Sequence, residues 1–195
     1  MIRFMRGAIA AIAAVALAAS AMLPAAMAAG FNGDIAMSLT GKYIGTNALG
    51  QPHMTFNYQK DLPFTEGVAA NQADKVFADT RTLAASTSEN LDLAAVLADP
   101  LGVTLTCVTI KAIIFKAAAA NTNDVVVGAA GSNPFLGPLG GTTPTVAVRP
   151  GGILMMVAPA TGWAVNASTA HLLKVLNGGS GTGVTYDVIF VCTSA

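Results

Sequence analysis

An all-β fold, an antiparallel β-sandwich of jelly-roll type, is what this chain predicts, and three observations carry the prediction. Short runs alternating apolar and polar residues recur along it. Turn signals rich in Gly, Pro, Asn and Asp separate the runs. No sustained helical stripe intervenes between them, which leaves sheet packed on sheet as the way to bury apolar faces.

The longest apolar-rich run, residues 103–116 (VTLTCVTIKAIIFK), is expected to be the strand around which the rest packs. Helical spacing also fits Val103, Cys107, Ile110 and Ile114, so composition decides. Eight of these fourteen residues are Val, Ile or Thr, stiff in a helix and well suited to a pleated surface. Alternation changes phase midway, from Val103, Leu105 and Cys107 to Val108, Ile110, Ala112 and Ile114. A β-bulge near Cys107 and Val108 would keep apolar side chains on the core side.

The chain has 195 residues, zero net charge and 10% charged residues, against roughly 25% in an average soluble domain. So little charge suits a small β protein with a Thr, Ser, Asn and Gly surface, or one that hides surface in an assembly. Ten Lys and Arg, scattered singly, form no patch to neutralise phosphates, so nucleic acid is not an expected partner.

Residues 1–28 read as a signal peptide. Arg3 and Arg6 precede an apolar run from position 8 to 23, and small residues lead to a cut after Ala28. A membrane span needs about 20 strongly apolar residues, and this run is short and mostly Ala. Export without a retained membrane segment is therefore expected. Removing residues 1–28 from 195 leaves 167, the size of one domain, and losing two Arg takes the net charge to −2. Cys107 and Cys192 lie in expected strands; one disulfide is permitted, and two buried free thiols are the favoured reading.

After the signal, residues 29–74 are expected to form a β-hairpin-like segment and linker. Ile35, Met37 and Leu39 alternate in residues 33–40, a loop holds Gly45, Asn47, Gly50 and Pro52, and Met54, Phe56 and Tyr58 share one side of residues 53–60. Residues 61–74 lose the pattern and read as a linker or arm, with a weak helical option at 68–77.

Residues 75–195 are expected to form the β-sandwich, with about eight strands. Asp99, Pro100, Leu101 and Gly102 form a turn in which Asp suits the first position, Pro presets φ at the second and Gly is favoured at the fourth. Residues 117–124 read as a hairpin connection into VVVG, residues 125–128. Short strands follow at 145–148, 153–159, 163–165 and 171–177. The last, 184–193, puts Val184, Tyr186, Val188, Phe190 and Cys192 on one face, while Ile189 and Val191 imply cover on the other face at its end.

The order ANQADKVFADTRTLAASTSENLDLAAVLADPLG, LTCVTIKAIIFKAAAANTNDVVVG, VRPGGILMMVAPATGWAV and LLKVLNGGSGTGVTYDVIFV resembles small virion structural proteins of tailed bacteriophages and prophages. The likeness runs from about Gly33 to Ala195. It implies a decoration, tail or spike component that acts by assembly, as a homo-oligomer or with other virion proteins, and it implies no catalytic residues. The signal peptide departs from that group and supports a second reading, an exported surface or periplasmic module binding a glycan or protein, with Trp163 and Tyr186 as contact aromatics.

No enzyme chemistry is expected: no catalytic residues, no cofactor site and no metal site. The GGSGTG segment, residues 178–183, lacks the Lys-Ser or Lys-Thr ending of a phosphate loop, and position 182 is Thr where a nucleophile elbow needs Gly. Asn121, Asn123 and Asp124 offer oxygen ligands for Ca²⁺ but one carboxylate, so a turn is the better reading. His53 and His171 read as solvent-facing strand residues, and the two glutamates, Glu66 and Glu89, suggest no carboxylate pair. Lys111 reads as part of a solvated sheet face, with an inter-subunit ion pair as its functional alternative.

Overall fold

The computed structural model describes residues 30–195, so the expected signal segment lies outside the described residues. An N-terminal ribbon consists of β1 (Gly33–Ile44), β2 (His53–Glu66) and the two-residue β3 (Gln72–Ala73). The body comprises β4 (Lys75–Leu83), β5 (Ser88–Asp92), β6 (Thr109–Ala117), β7 (Val125–Gly128), β8 (Thr145–Val148), β9 (Ile153–Val157), β10 (Trp163–Ala164), β11 (Leu172–Asn177) and β12 (Val184–Thr193). One 3₁₀ turn, Gly137–Leu139, is the sole helical element among the described residues.

Two antiparallel sheets form the sandwich. In one, β12 lies between β4 and β6, and β6 is flanked on its far side by β9 and β10; the other has the order β5-β11-β7-β8. Alternation in β12 turns Tyr186, Val188 and Phe190 inward, where they meet Phe77 and Phe115 of their own sheet and Leu91, Val127, Leu173 and Val175 of the other. Phe77 stacks on Phe190 at 5.7 Å between centroids and Phe115 meets it edge-on at 6.0 Å, favourable geometries for buried rings.

The central strand is shorter than its composition suggests. Ladder pairing starts at Thr109, and residues 103–108 form an irregular approach that buries Leu105 and Cys107, with Val108 N–H donating to Thr193 O at 2.7 Å. The expected bulge exists at a different place: Val191 faces Ala112 and Cys192 faces Ile110, so Lys111 is the extra residue. Consequently Ile110, Ile113, Phe115 and Ala117 face the core, whereas Ala112 and Ile114 face outward and Val108 is exposed. The bulge lets Ile110 and Ile113, three apart, share one face.

Lys111 is correspondingly buried, not part of a solvated face. Its Nζ donates to Ala160 O at 2.9 Å, and burial holds its pKa below the usual lysine value. The loop from β9 to β10 closes over it, and only Gly fits at position 162: φ is +62°, and a Cβ there would stand 2.6 Å from Ile110 O.

The expected β6–β7 hairpin is also corrected. β6 and β7 belong to different sheets, and residues 118–124 cross between them. Asn121 makes this crossing definite: its side chain donates to Thr185 O at 2.8 Å and accepts from Thr185 N–H at 2.9 Å, mimicking a strand neighbour. The helical option at 68–77 is replaced by β3 and β4. Asn71 there has φ 58° and donates its N–H to Pro159 O at 2.9 Å, which ends any helical continuity.

The cysteines are bridged rather than free. Cys107 and Cys192 form a disulfide with Cα atoms 5.7 Å apart, joining the approach to β6 with the end of β12 across 85 positions. Sequence spacing gave no sign of it because partner choice depends on the crossing of distant segments. A loop of that size constrains the unfolded chain by about 4.5 kcal/mol. Replacing both residues by Ala should lower unfolding free energy by about 2–5 kcal/mol in a denaturant titration, with reduction of the native protein giving a similar loss.

Candidate interaction surface

β1 pairs along its whole length with β2, from Gly33 opposite Phe64 to Ile44 opposite His53, while Thr65 and Glu66 at the end of β2 pair with β3. Twelve paired residues at about 3.4 Å each give a ribbon roughly 40 Å long. The register sorts its side chains by chemistry. One face carries Ile35 opposite Leu62, Met37 opposite Lys60, Leu39 opposite Tyr58, Gly41 opposite Phe56 and Tyr43 opposite Met54; the other, mostly polar, carries Asp34 opposite Pro63, Ala36 opposite Asp61, Ser38 opposite Gln59, Thr40 opposite Asn57, Lys42 opposite Thr55 and Ile44 opposite His53. A half-buried sheet shows this alternation when one face is covered.

Here the cover ends near the base. Phe64 is buried with Ala73, Ala112 and Val191, and Phe31, Ile35, Val76 and Val157 pack around them, so the ribbon's base sits on the outer face of the β4-β12-β6-β9 sheet. This is the covering that Ile189 and Val191 implied. Toward the tip Leu39 is 61% exposed, Tyr43 72%, Met54 63%, Phe56 43% and Tyr58 59%. These five form an apolar stripe with no partner among the described residues. Phe56 folds over Gly41, where an added Cβ would come within 2.9 Å of its ring, so the stripe is locally flat.

The sequence located the Met54, Phe56 and Tyr58 side but stopped β2 too early. Pro63 inside the run suggested a break, whereas a strand accepts Pro where its missing N–H would face an open edge. Leu62 and Phe64 continue the alternation past it.

The other sequence candidates serve structure. Asn123 donates to Asn177 Oδ1 at 3.1 Å and Thr182 O at 2.9 Å, buried Asn177 donates to Ala84 O and Thr182 O, and Asp124 pairs with Arg149 at 3.1 Å. These oxygens and amides pin the 178–183 connection to its neighbours and are not arranged around an ion. Among the described residues no three His, Cys, Asp or Glu lie close enough to hold a metal. His53 is exposed in the ribbon, and His171 Nδ1 lies 3.3 Å from Asn166 O. Glu66 accepts Phe31 N–H at 2.5 Å.

Trp163 is half-buried against the core, and Tyr186 is wholly buried, so the pair offers no exposed aromatic platform. Tyr186 instead belongs to a cluster that no local signal announced. Its hydroxyl donates to Glu89 Oε1 at 2.5 Å, and Arg81 Nε donates to Glu89 Oε2 at 2.7 Å while its Nη1 meets Asp79 at 2.8 Å. Strands β4 and β12 of one sheet are thereby tied to β5 of the other. The Glu89 bond raises the Arg81 pKa; burial, then the Glu89 bond, raises that of Tyr186.

A cleft of about 330 Å³ beside the ribbon base is lined by Phe31, Val76, Pro100, Leu101 and Val103, with Asp74 and Asp99 at its wall. Both carboxylates are occupied. Asp74 accepts from Ser194 N–H at 2.8 Å, and Asp99 accepts from Leu101 and Val103 N–H at 2.9 Å, the turn expected from sequence. Lys75 lines it as well, so a single ammonium joins a mostly apolar wall, too few polar groups to define a ligand. Compared with known protein families, curated proteins and solved structures, the chain matches none.

Tyr186→Phe should cost about 1–2 kcal/mol at neutral pH by removing a buried hydrogen bond. Its folded pKa lies above the unfolded value of about 10, so this contribution is complete below pH 10 and is lost as pH rises beyond it. Denaturant titrations at several alkaline pH values should show a decline in the wild type that is shallower in Tyr186→Phe.

Proposed function

We propose that this protein is a non-enzymatic structural component that acts through assembly, a virion decoration or tail-type β-sandwich. The observation that carries the reading is the unpartnered apolar face of the β1–β2 ribbon, which a free monomer would expose to water. Low charge agrees with surface hidden in an assembly, and the likeness to phage virion proteins points the same way.

The finer fold reading belongs here too. With the principal body strands counted in chain order and short β10 set aside, the two sheets run 6-3-8-1 and 2-7-4-5, every pair antiparallel. That order supports a jelly roll, an architecture common in capsid and lectin domains. Architecture alone does not choose between those functions.

An exported binding module is the second reading, favoured by the disulfide, since such bonds persist in oxidising compartments. Export and assembly are compatible.

Gradient fractionation of particles from cells carrying the gene, followed by mass spectrometry, should find the chain in particles starting at Ala29. The double variant Leu39→Asp, Tyr58→Asp should leave it in the soluble fraction. Recovery of the wild type solely as a free monomer overturns this function.

A further inference from the structure

The ribbon's base shows what its apolar face packs on. Ile35 and Phe64 cover the row Val157, Ala112, Val191 and Val76 on the outer face of the body sheet. The next row along the same strands, Met155, Ile114, Ile189 and Ala78, has the same chemistry; its first three residues are half-buried, Ile189 at the edge of the covered cluster, and Ala78 is exposed. Beyond Met155, Ile153 is 66% exposed on the same face. Among the described residues one molecule therefore carries both an exposed apolar ribbon face and a partly covered row of the kind that ribbon already covers.

We infer that the β1–β2 ribbon of one copy lies with its apolar face on the outer Met155–Ile114–Ile189–Ala78 row of a second copy. The inference rests on the assembly reading and names its partner and site. Area supports the reciprocal arrangement. Three partly exposed aromatic rings with Leu39 and Met54 offer on the order of 600 Å². A stable interface needs about 800 Å² from each partner, so the ribbon alone falls short. Giving a ribbon and receiving one adds the sheet row to each copy's share and reaches that size. Charge agrees as well: Lys60 is the one charge among the paired residues of the ribbon's apolar face, and the row next to the acceptor holds Asp187, which accepts from Thr80 Oγ1 at 2.8 Å through one oxygen and lies 3.5 Å from Lys116 through the other. The polar ribbon face, with Asp34, Asp61 and Lys42, stays toward water.

The test uses purified residues 29–195 in sedimentation velocity at tens of micromolar. The wild type should form a discrete oligomer. The donor variant (Leu39→Asp with Tyr58→Asp) and the acceptor variants (Ile189→Lys and, separately, Ala78→Lys) should each weaken self-association at least about thirtyfold. Ala78 is already exposed, so its variant keeps the test valid if Ile189→Lys unfolds. Mixing donor and acceptor variants should give a one-to-one pair tighter than either variant alone but weaker than the wild type, because it keeps one of the two reciprocal contacts. Acceptor variants that remain assembled would mean that ribbons pack on each other or elsewhere, which overturns the inference but leaves the structural role standing. A wild type that is monomeric yet bound in particles has a different partner and also overturns it. A wild type that is monomeric and absent from particles removes both readings.

Discussion

The structure depends on the last strand finding two neighbours that are distant in sequence. β12 inserts between β4 and β6, with Val188 opposite both Asp79 and Phe115. Until residues 184–193 arrive, β4 has no partner strand and β6 is paired on one side only, and the inner and outer clusters both lack their central members. Such long-range closure makes β-sandwiches slow to fold relative to helical domains. The bulge at Lys111 is fixed by the same pairing: it lets β6 turn Ile110 and Ile113 to one core while Cys192 meets Cys107.

Polar groups mark where this closure must be unambiguous. Asn121 borrows the backbone of Thr185, Asn177 anchors the loop before β12, and Glu89 joins Arg81 to Tyr186 across the gap between sheets. Each satisfies a buried or half-buried group that would otherwise oppose folding. Apolar alternation tells a strand which face is inside; these bonds tell it which neighbour is correct.

What could be read in advance follows from this distinction. Val184 to Cys192 announced the inward face of β12 because period-two alternation is local, and the turn at Asp99 announced itself through side-chain chemistry within four residues. The Cys107–Cys192 bond, the Tyr186–Glu89 contact and the passage of residues 118–124 between sheets join segments far apart in the chain. No window of sequence holds both partners. The ribbon lay between these cases: its alternation was visible, but whether Leu39, Tyr43 and Tyr58 met a core or water depended on where the body stopped.

The place where ribbon and body join has a mechanical meaning. The chain enters the sandwich at Asp74, whose N–H bonds Cys192 O and whose carboxylate takes Ser194, immediately beside the disulfide. A tensile load applied to the ribbon is therefore delivered to a covalently fastened corner. It passes along the backbone into the edge strand β4, and the Asp74 bonds to residues 192 and 194 share it with β12 beside the disulfide. A pull on the ribbon must break those hydrogen bonds beside the disulfide before it can draw β4 away from β12.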